Sequence, residues 1–382
     1  MRLAPRPLYP VSRIHLAAMV DDTGMWQHAR GVEPDPQFGY CTDDVARLLV
    51  VEVLHSQVLP AGALSADIRR SLTFLSDAFD RTTGRFLNFR GADGSWLDAG
   101  GSEDSHARAL AGLAAVMAEM SSTEEAESAR LLFNRALPAV AGFGAIRSIS
   151  RAIVACDWAC RAGLDAAVMP TLEDLSGRLY AAFNVLDRAP EPIDADAGPM
   201  AWPWPEPVLT YENALMPHAL IVAGGRLGRP ALIARGLAVL DWLVAIQLGD
   251  GGVFSPIGNR GWWPRTGRRS RFDQQPIEAA TMVSAAAAAF GATGKRRYLR
   301  AAEQAYGWFL GDNDVGVEIA DPVNGACCDG LTPVGVNVNQ GAESTLMWLT
   351  ALETIRGLRR GPAAATKPRL EGMQGVEMGT RK

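Results

Sequence analysis

The chain has 382 residues, of which 48% are apolar and 21% charged, with a formal net charge of −5. That length suits two ordinary domains or one large architecture, and the apolar share is ample for a core. With no basic excess and no Lys/Arg stripe interleaved with aromatics, nucleic acid is not an expected partner.

The five cysteines, Cys41, Cys156, Cys160, Cys327 and Cys328, are odd in number and match no zinc-knuckle or ribbon spacing. Cys156 and Cys160 sit one helical turn apart in an apolar run and read as small buried hydrophobes. A reducing compartment fits best, and neither a metal nor a cofactor is expected. The basic N-terminus lacks an apolar stretch before a cleavage site, and no run is long enough to span a bilayer, so the expected location is cytoplasmic.

Along the chain, the stretch 14–20 reads as a first amphipathic helix. Small-residue-rich segments then follow at 45–54, 107–117, 152–162, 214–223, 277–290 and 346–355. Several are apolar nearly all round, which marks helices buried on more than one side. Amphipathic segments at 68–79, 131–140, 172–183, 232–246 and 298–310 alternate with them, each with one wet face. The polar residues opening the buried helices are Asp44, Asp104, Arg151, Glu212, Gln275 and Gln340, separated by 60, 47, 61, 63 and 65 residues. This is a degenerate repeat of helical hairpins.

Six buried helices alternating with six amphipathic ones predict an all-α (α/α)6 toroid. An open solenoid would want shorter, more uniform units. The expected toroid is a single domain over residues 1–357, and the Gly-, Pro- and charge-rich stretch 358–382 is expected to be a disordered tail. In such a toroid the inner helices run parallel, so their N-termini share one rim and distant polar residues converge.

The expected rim carries Asp43 and Asp44, then Glu103, Asp104, His106 and Arg108, then Arg151. Tyr211, Glu212 and Asn213 follow, then Asp273, Gln274, Gln275 and Glu278, and last Asn339, Gln340 and Glu343. Capping explains part of this: Thr42, Ser102 and Thr210 are good N-caps, and acids in a first turn complement the helix dipole. Asp43 with Arg47, and Asp104 with Arg108, are helix-stabilising pairs in any case. Capping does not explain the amides, the histidine and the tyrosine at the same helix ends. Such mixtures suit sugar hydroxyls, which need paired donors and acceptors. Two loops add aromatics: Trp202 and Trp204 beside Glu206, and Trp262 and Trp263 beside Asn259, as stacking platforms or as loop packing.

The motifs FGYCTDDVAR, GSEDSHARAL, LTYENALMPHAL, FDQQPIEAA and GVNVNQGAEST resemble a bacterial and archaeal family of (α/α)6-toroid, glycosidase-like proteins. Its members often carry a glycosyltransferase label through association with true glycosyltransferases. The resemblance runs from Phe38 to Ile355. Where the family has Trp-Phe-Glu, this chain has Trp204-Pro205-Glu206, which keeps the acid and changes its neighbour.

Residues and resemblance together imply an enzyme acting on a glycosidic bond of an oligosaccharide or polysaccharide. One carboxyl protonates the leaving oxygen while another activates water or attacks the anomeric carbon. Asp44 and Asp104, on adjacent inner helices, lead, with Glu206, Glu212 and Glu343 as rivals. Other toroid glycosidases are frequently inverting, an analogy that leaves the anomeric outcome open here. Epimerisation or isomerisation is a rival reading, but it wants paired histidines, and of His15, His28, His55, His106 and His218 only His106 falls at a rim. A polysaccharide lyase would draw on Tyr211, His106 and Arg151. A non-catalytic sugar-binding partner of glycosyltransferases is the third. Nucleotide-sugar transfer is disfavoured, since no Rossmann glycine motif occurs and Asp194-Ala-Asp196 reads as a solvated turn.

Overall fold

The computed structural model describes residues 6–184 and 202–361. Asp194, Asp196 and the start of the Trp-Pro connection lie outside the described residues.

Twelve helices account for the architecture among those residues. The inner set is α2 (Thr42–Ser56), α4 (Glu103–Glu119), α6 (Ile146–Arg161), α8 (Leu215–Arg226), α10 (Pro276–Thr293) and α12 (Ala342–Arg360). Each packs on the next, and α12 packs back on α2, so the ring closes. Closure decides for the toroid over the solenoid. The outer helices α3 (Ser65–Ala78), α5 (Glu124–Ala136), α7 (Asp165–Asn184), α9 (Pro230–Ile246) and α11 (Arg296–Phe309) lie against α2, α4, α6, α8 and α10 respectively.

The sixth outer position departs from expectation. α1 (Ile14–Met19) is only six residues long, and residues 6–13 run beside α11 and α12 without helix. Arg356 and Arg359 of α12 and Tyr306 of α11 hold that segment by donating to the carbonyls of Tyr9, Arg6 and Pro7. Its prolines, Pro7 and Pro10, lack the N–H a helix needs.

α5 begins earlier than the apolar pattern predicts. Thr123 caps it by accepting from the Ala126 N–H, three acids fill its first turn, and the α-helix gives way to a 3-10 turn at Leu137–Gly142, where Pro138 lies. At the other end of the chain α12 continues to Arg360. The inner helices are lined with small residues, so their backbones approach closely. At Gly112 of α4, an added Cβ would stand 2.9 Å from the Ala46 carbonyl oxygen of α2. Cys156 and Cys160 are buried as read from the sequence. No described helix is long and apolar enough to cross a membrane.

Candidate active site

The inner helices do start on one rim, as their cross-helix ion pairs demonstrate. α2 opens with Asp43 and Asp44 in its first turn and places Arg47 one turn further in. Arg47 is a fork between helices: one Nη donates to Asp44 at 2.9 Å, the other to Glu343 of α12 at 2.6 Å. Asp43 lies 3.2 Å from the same guanidinium and 2.6 Å from Arg108 of α4. Arg108 continues the chain of charges to Asp104 at 3.2 Å and to Glu212 at 2.7 Å. Arg151 of α6 closes on the other Glu212 oxygen. The expected helix pairs Asp43–Arg47 and Asp104–Arg108 therefore form, and each also ties one helix to another.

Against this ladder lies a cavity of about 430 Å³. It is walled by the starts of α2, α10 and α12, the hairpin at residues 330–337, Asn259, Gln27 and His28. Asp43, Asp44, Asn259, Asp273, Gln274, Gln275 and Glu343 of the expected set line it. Asp44 is only 4% exposed. Burial pushes its carboxyl up to about 7, with Asp43 and Glu343 adding to the rise and Arg47 opposing it. Glu343 faces the cavity with 39% of its side chain exposed. Its carboxyl is also raised, by desolvation first and then by Asp43 and Glu212, against Arg47 and Arg108.

Other expected residues meet in the rim but outside this cavity. Glu212 is fully buried, in a left-handed backbone conformation (φ 52°), and is the hub of the ladder. Burial would raise its carboxyl, but Arg108, Arg151 and Arg47 reverse this and bring it down to about 2. A carboxylate so clamped stays ionised at neutral pH and has no proton to give. Its backbone N–H, like the Asn213 amide, donates to Glu278 of α10, a carboxyl that burial raises to about 7. Glu206 is held by Arg147 at 2.8 Å, and Arg147 also lies over the Tyr211 ring at 4.8 Å. Asp104, one of the two leading acids in the sequence, holds Arg108 and does not line the cavity.

Several expectations are corrected outright. His106 is fully buried and turned away from the axis. One ring nitrogen meets the Ala136 carbonyl at 3.1 Å and the ring packs on Phe86 and Phe143, while burial lowers its pKa to about 4. Trp202 and Trp204 are buried at 4% and 0% exposure in a cluster with Trp242, Trp263 and Phe183, so they are packing rather than platforms. Trp262 and Trp263 are half-buried against the core. Glu103 accepts from the Gly144 and Ala145 N–H groups and so ties the start of α4 to the loop that enters α6. Asn339 accepts from the Gly31 N–H, the Gln340 carbonyl meets His15, and the Gln274 amide bonds Arg271, Asp314 and Trp308, so all three tie loops together. Of the proposed caps only Ser102 serves. Cys41 occupies the cap position of α2, and α8 starts five residues after Thr210.

The sequence reading passes over Arg147 and Asp329 and sets His28 away from the rim, whereas the structure puts His28 on the cavity wall. Arg47 is visible only as a helix-pair partner. Asp329, which accepts from Gly341 N–H and Ser344 Oγ at 2.9 Å each, sits before a short hairpin with little strand signal. Among the described residues no three His, Cys, Asp or Glu side chains are disposed to hold a metal ion.

No protein-family model and no curated protein sequence matches the chain. Solved structures do. A sugar epimerase from a ruminal bacterium superposes with a TM-score of 0.66 at 14% identity, covering 89% of this chain and 94% of the epimerase. The cellobiose 2-epimerase of Spirochaeta thermophila gives 0.66 at 15% identity, over 88% and 90% of the two chains. An inactive α-1,6-mannanase variant from a Salegentibacter species, with two adjacent aspartates changed to alanine and α-1,6-mannotetrose bound, gives 0.57 at 12% identity, over 91% and 96%. At such identities the likeness establishes the architecture: this chain is an (α/α)6 toroid, the fold of those sugar epimerases and mannanases.

Proposed function

We propose that the protein is a carbohydrate-active enzyme of the glycoside-hydrolase kind, cleaving or transferring a glycosidic bond with paired carboxylates. The observation that carries this reading is the Arg47 fork on the cavity wall, with Asp44 on one tine and Glu343 on the other. An acid near pH 7 is suited to donate a proton to a leaving oxygen at neutral pH, and a partly exposed carboxylate beside it is suited to engage water or the anomeric carbon. Asp43, adjacent to Asp44 and tied to two arginines, sets the local field. The mannanase neighbour, inactive when two adjacent aspartates are lost, adds weight to an Asp43–Asp44 pair on a toroid rim. The motif resemblance supports a place beside glycosyltransferases in polysaccharide metabolism.

Epimerisation is the second reading, favoured by the higher scores of the epimerase neighbours. Against it stands the cavity lining, in which His28 is the single histidine. The lyase reading loses support because His106 faces away from Tyr211 and Arg151. One experiment separates them: incubate wild type with a glycan panel and read the products by mass spectrometry. Hydrolysis adds the mass of water, epimerisation leaves mass unchanged with a new retention time, and elimination gives an unsaturated product. Asp44→Asn should retain its melting profile and oligosaccharide affinity while turnover falls by about 10²–10⁴. Binding without any wild-type turnover would instead mark a sugar-binding subunit.

A further inference from the structure

The charge around the cavity says what can react there. We propose, resting on the glycosidic reading above, that the cavity takes an uncharged sugar and delivers it to water or a sugar hydroxyl, and that it refuses phosphate, nucleotide and uronate groups.

Five carboxyl groups line the cavity, at Asp43, Asp44, Asp273, Asp329 and Glu343, against one guanidinium, Arg47. Arg47 already serves three of those acids. The arginines behind it are equally committed, Arg108 to Asp43, Asp104 and Glu212, Arg151 to Glu212, and Arg147 to Glu206. Arg260 lies 3.4 Å from Asp273 but is largely exposed and outside the lining.

Three helix N-termini point at the cavity, and such ends ordinarily attract anions. Here the leading donor of each is taken or missing. Thr42 N–H bonds the Asn88 carbonyl, Gly341 N–H bonds Asp329, Ala342 N–H bonds the Gln27 carbonyl, and α10 has Pro276 at its first position, with no N–H to give. Each first turn also carries its own acid, Asp43 and Asp44 on α2, Glu278 on α10 and Glu343 on α12. An incoming anion meets five carboxyl groups against one guanidinium that is already paired with three of them.

The same charge favours the transition state of glycoside cleavage, in which the sugar ring becomes cationic. The Asp44 proton passes to the glycosidic oxygen as its bond to the anomeric carbon breaks. Water oxygen bonds that carbon, and its proton goes to Glu343. Every atom is supplied by substrate, water and these two carboxyls.

The test has two arms, the first on the wild-type protein and the second on wild type and Glu343→Gln. In the first, the glycan panel is run in ¹⁸O-labelled water with and without inorganic phosphate. Products bearing solvent oxygen, or transferred onto sugar hydroxyls, are expected, with phosphate leaving rate and products unchanged. A sugar phosphate product, or faster cleavage of a uronate than of its neutral counterpart, would overturn the proposal. In the second, calorimetry compares gluco-, manno- and galacto-configured iminosugars with the matching neutral sugars, the uronic acids and inorganic phosphate. A protonated iminosugar should bind at least about tenfold more tightly than its neutral counterpart, and lose that advantage in Glu343→Gln. Binding of phosphate or uronate, or a cationic probe no tighter than the neutral sugar, overturns the charge preference. If no glycan reacts while the iminosugar preference holds, the glycosidic reading fails and the charge selectivity stands.

Discussion

Arg47 gives each of two acids its own N–H, and a lysine in its place could offer only one compact charge. Its positive charge opposes the rise that burial imposes on Asp44. In Arg47→Gln the protonated form of Asp44 should therefore persist to higher pH, and the alkaline limb of the kcat/KM profile should move upward by about one unit. An unmoved limb would remove Asp44 as the proton donor. A second buried acid tests the same physics away from the cavity. Glu52 of α2 is fully buried, and its single hydrogen bond comes from Ser71 at 2.9 Å. Burial raises its carboxyl from 4.5 to about 8. The native state thus holds a proton that the unfolded chain releases, so this group costs stability progressively as pH rises from 4.5 to about 8. Glu52→Gln should be more stable than wild type by a few kcal/mol at about pH 9, with the gap closing by about pH 4. Thermal melts at the two pH values decide it.

Among the elements, the inner helices show what the sequence made legible. Their positions follow from all-round apolarity and small residues, and their common rim follows from alternation. What a linear pattern cannot carry is the direction of a side chain around the helix axis. His106 and Arg108 stand two residues apart on α4, yet His106 turns outward onto Phe143 while Arg108 faces the axis. The tryptophans misled for a related reason: an indole in a loop looks exposed until the partner that buries it, here Trp242 on α9, is known. Gly112 gives a prediction at this scale. Alanine is the better helix former, but at this position its methyl would press on the Ala46 carbonyl and Leu49 at the seam of α2 and α4. Gly112→Ala should lower stability by about 1–3 kcal/mol in chemical denaturation. A stabilised variant would mean the seam is looser than described.

At the scale of the whole molecule, closure is the property that matters. An open stack of repeats can melt from either end, whereas a ring has no free end to fray. We expect unfolding followed by far-ultraviolet circular dichroism and by tryptophan fluorescence to coincide in one transition, as for a single domain. Two separated transitions would divide the chain into more than one unit. The outer ring was the less legible half. Four outer helices follow their amphipathic pattern and α5 starts ahead of its own, while the sixth position is held by the segment 6–13, whose carbonyls are anchored by α12 arginines that no hydrophobic period announces.

The seam between α2 and α12 joins residues 296 positions apart, Arg47 and Glu343. At the usual pace of about 5–20 residues per second, a ribosome needs roughly 15–60 s to travel between them. A half-made chain carries Asp44 throughout that interval without Glu343, the other tine of the fork. On the glycosidic reading proposed above, newly synthesised protein should therefore be silent toward glycans until its last inner helix emerges, with activity arriving abruptly at the end of translation.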